Sequence, residues 1–230
     1  MSNRLKDMGE TASWRLMVSA AIEGAKHIGY EMQRKPGRGL SNTYEMTKDG
    51  KTQVASVRTT RDRAIAFPPL DGGKKWKTLD DVELVLVSAV DDRLNPQNVD
   101  VYLFPANEVR QRFNASYAAR IAAGHIIRDD YGMWLMIDAG NTEVAGQVGS
   151  GIIDQYPAIA RFTIDKLEAG VAPAVREMVA ETAPDPEETA DEDVPALKTV
   201  ADVMAFCVEK IANLTGMPAN SIKLDLKMGV

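Results

Sequence analysis

One cysteine, two histidines and 6% aromatic residues are all that a chain of 230 residues carries of the side chains that most often do covalent, metal or stacking chemistry. The single thiol, Cys207, excludes an intrachain disulfide and a cysteine-based zinc site, the usage of a reducing compartment. With no histidine near it in sequence, it reads as a small buried residue and not as a nucleophile. His27 and His125 are too few for most zinc chemistry. No run of about eighteen apolar residues occurs, so no membrane-spanning helix is expected. The N-terminus lacks an apolar signal core, which argues against secretion. The expectation is a cytoplasmic protein that stays out of membranes.

What is present is ordinary core material, 45% hydrophobic, and an uneven charge. The net charge is -6, yet residues 1–80 hold fifteen basic against nine acidic side chains and net +6, leaving -12 for the rest. A basic N-terminal third beside an acidic remainder is the pattern of a surface that faces a polyanion. A solvated lysine and arginine surface gives the same count without a ligand.

The positive charge meets strand-like sequence in residues 51–67, KTQVASVRTTRDRAIAF. Alternation on a strand puts Val54, Ser56, Arg58 and Thr60 on one side and Ala55, Val57 and Thr59 on the other, with Arg61 and Arg63 extending the charge. Asp49-Gly50 upstream is a hairpin signal, so residues 43–60 read as a hairpin. Before it, residues 11–34 read as a helix capped by Thr11 or Ser13, with Trp14, Met17, Ala21, Ile22, Ala25 and Ile28 near helical spacing. Lys35-Pro36-Gly37-Arg38-Gly39 breaks it into a basic loop, either a linker or a phosphate-approach loop using Arg34, Lys35 and Arg38.

After the hairpin, residues 68–76 are turn-rich; Lys74 and Lys75 offer charge for a nucleic-acid strand, and Trp76 reads as a core anchor. Residues 81–90, DVELVLVSAV, suit a central strand covered on both faces. Residues 99–104 give the next strand. A helix follows over 107–123, with Val109, Phe113, Tyr117 and Ile121 on one stripe, Gly124 as its stop, and Arg110, Arg112 and Arg120 in solvent. Residues 131–138 read as a strand, and 157–170 as a helix opened by Pro157. Pro173 kinks it or starts a second helix.

The order helix, hairpin, strand, strand, helix resembles the restriction-endonuclease-like, or PD-(D/E)XK, superfamily across residues 11–124. There a strand hairpin carries an acid and then a Glu/Gln-x-Lys element. The counterpart of its Gln-Val-Lys-Thr-Thr form is Ser56-Val57-Arg58-Thr59-Thr60, and Tyr102-Leu103-Phe104-Pro105 before Glu108-Val109 follows the family pattern. The resemblance implies an α/β (α+β) core, a mixed central sheet flanked by helices. It also implies a catalytic set of Glu45, Ser56 and Arg58. Family carboxylates hold magnesium, which activates water for attack on phosphorus. Here Ser56 offers no anionic ligand and Arg58 is permanently protonated, better suited to gripping phosphate than to exchanging a proton. Glu45, with Asp62 as a second carboxylate, is what remains for Mg2+; Asp62, flanked by Arg61 and Arg63, also reads as an ion-pairing residue.

The acidic, proline-containing stretch 181–195 divides a main domain, 1–180, from a C-terminal module, 196–230. In that module Thr199 caps a helix with Val200, Val203, Met204, Cys207, Ile211 and Leu214 on one stripe, and residues 221–228 alternate as a strand. Thirty-odd residues cannot bury that apolar surface alone, so the module docks on the main domain, a second copy or a protein partner. Three readings follow. The first is a nucleic-acid-binding protein, DNA favoured, with a nuclease-like fold and a degenerate site, gripping phosphates with Arg34, Lys35, Arg38, Arg58, Arg61, Arg63, Lys74 and Lys75. The second is a Mg2+-dependent endonuclease with an atypical site. The third is an oligomerising adaptor acting through residues 196–230. The first needs no cofactor; only the second needs the metal.

Overall fold

The computed structural model describes residues 5, 10–35, 42–170, 200–215 and 218–223. Helix α1 (Glu10–His27) leads into strands β1 (Glu31–Arg34), β2 (Thr43–Lys48) and β3 (Lys51–Thr60). Short strands β4 (Ala64–Ala66), β5 (Pro69–Leu70) and β6 (Lys75–Trp76) then cross the molecule to β7 (Leu84–Val90) and β8 (Asn98–Pro105). Helix α2 (Ala106–Ala122), β9 (Trp134–Met136), β10 (Ala160–Thr163), α3 (Ile164–Gly170) and α4 (Val200–Thr215) follow.

The architecture is mixed α/β. Six strands form one sheet in the order β1-β2-β3-β7-β8-β10. All neighbours are antiparallel except β3 and β7, whose parallel register pairs Ser56 with Val85 and Arg58 with Val87. The parallel pair sits in the middle, and all seven residues of β7 are buried, as a strand covered on both faces requires. Strand alternation then divides two cores. Ala55, Val57, Leu84, Leu86, Val99 and Val101 face α1 and α3. Val85, Val87, Ala89, Tyr102 and Phe104 face α2 and the crossing segment 65–82.

The 43–60 hairpin forms as expected, with Lys48 opposite Lys51. Its tip, Asp49-Gly50, has φ of 51° and 75°, the left-handed pair whose twist matches that of the strands. Trp76 is a core anchor: it is 2% exposed, its indole N–H donates to Asn114 Oδ1 at 2.8 Å, and it meets Phe113 edge-on at 5.1 Å.

Four expectations are corrected. The helix read over 11–34 stops at His27, because Gly29 N–H donates to Lys26 O and Tyr30 N–H to Ala25 O, a Schellman closure that releases residues 31–34 to pair with β2. The helix read over 157–170 begins as β10, which pairs along β8 so that Phe162 faces the α1 core and Arg161 faces Asp100; only α3 is helical. The α2 arginines are not solvent groups. Arg110 donates to Asp80 and Leu79 O, Arg112 to the carbonyls of Gly149 and Ser150, and Arg120, 9% exposed, to those of Trp134 and Gly146. Burial lowers the Arg120 pKa, and Ile121, expected on the buried stripe, is 46% exposed in its place. Ser221 lies in a 3-10 turn, Ala219–Ser221, and not in a strand. Ile222 and Lys223 are likewise not in a strand; residues 224–228, the 181–195 stretch and the helix after Pro173 lie outside the described residues.

Candidate nucleic-acid interface

Because β2, β3, β7 and β8 are in fixed register, the side chains on the α2-side face fall into lateral rows. One row reads Glu45, Val54; the next, Thr43, Ser56, Val85, Phe104; the next, Arg58, Val87, Tyr102. Lys35 joins the second row, since its N–H donates to Thr43 O at 2.9 Å and continues the β1/β2 ladder one residue past Arg34. Lys35 and Ser56 are therefore about 10 Å apart across two strand spacings, and Arg58 stands about 7 Å further along β3. The arrangement is two cations around two hydroxyls on one sheet face.

Local chemistry tunes each member. Ser56 is fully buried, and its Oγ has no hydrogen-bond partner among the described residues. Arg58 is half-buried with its guanidinium 4.6 Å from the Phe67 ring centroid, a cation–π contact on a ring that is itself buried. This half of the face, over β1 to β3, is the less covered: Gln33 and Thr52 are exposed, and Glu45, Thr47 and Val54 half-buried. Glu83, next to Val54, spends its carboxylate on the Val54 N–H.

The remaining predicted residues are dispersed. Arg34 alternates onto the α1-side face with Met32 and Tyr44, away from Arg58. Arg61 is exposed beyond the end of β3, and Arg38 lies outside the described residues. Lys74 and Lys75 are exposed on the crossing segment, Lys74 within 3.8 Å of Asp71. Asp62 pairs with Arg93 at 2.9 Å. Glu45, opposite Val54, and Asp62, beyond Thr60, are separated by at least six residues of β3, about 20 Å, so they do not share an ion. Among the described residues no three His, Cys, Asp or Glu side chains come together as a metal site.

Arg63 turns inward, away from any external phosphate. At φ 55° it drives its guanidinium onto Asp138 with two bonds of 2.7 and 2.8 Å, onto Val90 O at 2.7 Å and onto the Tyr102 hydroxyl at 3.2 Å. The Asp138 bond holds its pKa above the usual arginine value against the cost of burial. Asp100, 2% exposed, accepts from Arg161 and Tyr102 and lies 3.9 Å from Arg63. Burial raises the Tyr102 phenol against the opposing hydrogen bond from Arg63. These partners are missed by sequence reading, since Asp138 is 75 residues from Arg63. Thr43, an uncharged residue at the position where the resemblance puts an acid, is brought opposite Ser56 by the hairpin register, and Phe67 folds back under Arg58 from nine residues away, a contact alternation does not show.

Chemically, the half-buried cations Lys35 and Arg58 are the groups that can grip an oxyanion, while the Thr43 and Ser56 hydroxyls between them are buried beneath the surface. The arrangement has no carboxylate where a magnesium ligand would stand, and an arginine does not exchange protons near neutral pH. No helix among the described residues is long and apolar enough to cross a membrane. No protein family, curated protein or solved structure matches the chain.

Proposed function

We propose that this protein binds nucleic acid by its phosphates, DNA by preference and in the cytoplasm, on the α2-side face of β1 to β3. The observation that carries the reading is the row Lys35, Thr43, Ser56 with Arg58 one step along the strand, two cations around a buried, unpartnered hydroxyl. Arg61, Lys74 and Lys75 supply outlying phosphate contacts. The order α1, the β2/β3 hairpin, β7, β8 and α2 supports a restriction-endonuclease-like core. Within that core, Ser56 and Thr43 in place of acids make the site a binding one.

The test is binding of fluorescent single- and double-stranded DNA and RNA at two salt concentrations. Wild type is expected to bind with a steep salt dependence. Lys35→Ala/Arg58→Gln is expected to lose about tenfold or more in affinity and to flatten the slope of log K against log salt by nearly two, one phosphate per cation. Binding unchanged in the double variant would sink the assignment of the site. No binding by wild type would sink the function.

A magnesium-dependent endonuclease is the second reading, resting on Glu45, which shares the sheet face of Ser56 and Arg58. It predicts EDTA-sensitive cleavage in the same assay, lost in Glu45→Gln. Uncut DNA in the presence of Mg2+ retires it.

A further inference from the structure

Among the described residues strand β1 ends the sheet, and the direction of its hydrogen bonds is set by its neighbour. The Lys35 N–H donates to Thr43 O, so the backbone groups of residues 31, 33 and 35 turn toward β2, and by alternation those of Met32 and Arg34 turn outward. An antiparallel partner strand must match this parity. The segment Tyr30-Glu31-Met32-Gln33-Arg34 satisfies it against a second copy of itself, with a two-fold axis at Met32. In that register Met32 meets Met32, Glu31 of one copy meets Gln33 of the other, and Tyr30 meets Arg34.

The pairs are chemically matched. Met32 is 7% exposed and belongs to the α1-side core, so its self-contact would join the two cores across the edge. Glu31 and Gln33 are both exposed on the opposite face, where a carboxylate can accept from an amide. Tyr30 and Arg34 make an aromatic–guanidinium pair. No like charges oppose each other. The Glu31 and Arg34 charges that would repel a generic strand here become part of the recognition.

We propose that β1 pairs antiparallel with β1 of a second copy of this chain, extending the sheet across a two-fold axis perpendicular to it. Such an axis keeps both α2-side faces on the same surface. The two Ser56 positions then lie five strand spacings apart across the sheet and six residues apart along it, about 31 Å in all. The pairing does not depend on the nucleic-acid reading, but if that reading holds, the dimer presents two phosphate seats to one ligand and gains from avidity. Strand pairing of five residues is small beside the roughly 1,200 Å2 of a stable interface, so the dimer is a weak one.

The experiment uses the full chain with Cys207→Ser as background. Glu31→Cys and Gln33→Cys chains are oxidised separately and mixed, at several hundred micromolar. The register places residue 31 opposite residue 33, within disulfide reach, but leaves two copies of residue 31, or two of residue 33, more than about 7 Å apart. A covalent dimer in the mixture and none in either chain alone is the expected result. Cross-linking of Gln33→Cys with itself, or equal cross-linking everywhere, overturns the register. Sedimentation of the background chain gives the second readout: a dimer that is lost in Glu31→Lys/Gln33→Lys, two exposed positions whose exchange leaves the fold intact. A monomer throughout the concentration range overturns the proposal.

Discussion

Arg58 and Arg63 lie five residues apart and meet opposite electrostatic surroundings. Arg58 keeps its place on the strand face over Phe67, at the open side of the sheet. Arg63 is drawn inside by Asp138, Tyr102 and Val90 O, with Asp100 close behind. Removing one partner from a buried, hydrogen-bonded ion pair leaves the other charge stranded. Arg63→Ala, which strands a part-exposed Asp138 and takes a donor from Val90 O and the Tyr102 hydroxyl, is expected to cost about 1–3 kcal/mol in urea unfolding. Arg63→Lys is expected to recover only a minor part, because an ammonium cannot reproduce two parallel bonds to Asp138 together with those to Val90 and Tyr102. Full recovery by lysine would mean that charge alone matters at this position. The sequence shows both arginines, and the alternation that places Arg58 on β3, but gives no sign of which carboxylate meets Arg63 from 75 residues away.

At the scale of elements, the loop between β7 and β8 is built on Asp91. Its carboxylate accepts from the backbone N–H groups of Asp92, Gln97 and Asn98 and from the Asn98 amide. Burial pushes the Asp91 pKa up, and the bonds from Asn98, Gln97 and Asp92 outweigh it, so the net shift is downward. A depressed folded-state pKa contributes stability that is present above the unfolded value, near 4, and lost as pH falls through the folded one. Asp91→Asn should thus lower the melting temperature at pH 7 and leave a smaller further loss than wild type shows as pH falls below about 4. Parallel melting curves for the two proteins across that window would contradict this role. The hairpin, β7, β8 and α2 were legible from alternation, an Asp-Gly turn and a glycine stop. The break between α1 and β1 did carry a signal, Gly29, which the apolar spacing through Ile28 outweighed; at φ 90° it is the left-handed glycine whose bond to Lys26, with that of Tyr30 to Ala25, ends the helix. Likewise β10 is decided by a partner strand, β8, sixty residues earlier.

Across the whole molecule, two cores lie on either side of one sheet, and the distance between layers is set by small residues. Gly24 on α1 faces β8 so closely that a Cβ there would come within 2.8 Å of the Val101 side chain. Gly24→Val should destabilise by about 1–3 kcal/mol through overpacking. Val101→Ala in the same chain should return part of that loss, which a denaturation double-mutant cycle would measure; strictly additive effects would show that the layers do not meet there.

What the sequence determined by itself was the mixed α/β class, the hairpin and the face each residue of β3 occupies, because alternation and turn chemistry are local properties. What tertiary structure decided was which cations remain at the surface. Arg63, Arg112 and Arg120 were drawn into carboxylates and backbone carbonyls, while strand register gathered Lys35, Thr43, Ser56 and Arg58 on one face. The physical reason is that burying a charge is costly unless partners compensate it, and those partners come from distant parts of the chain.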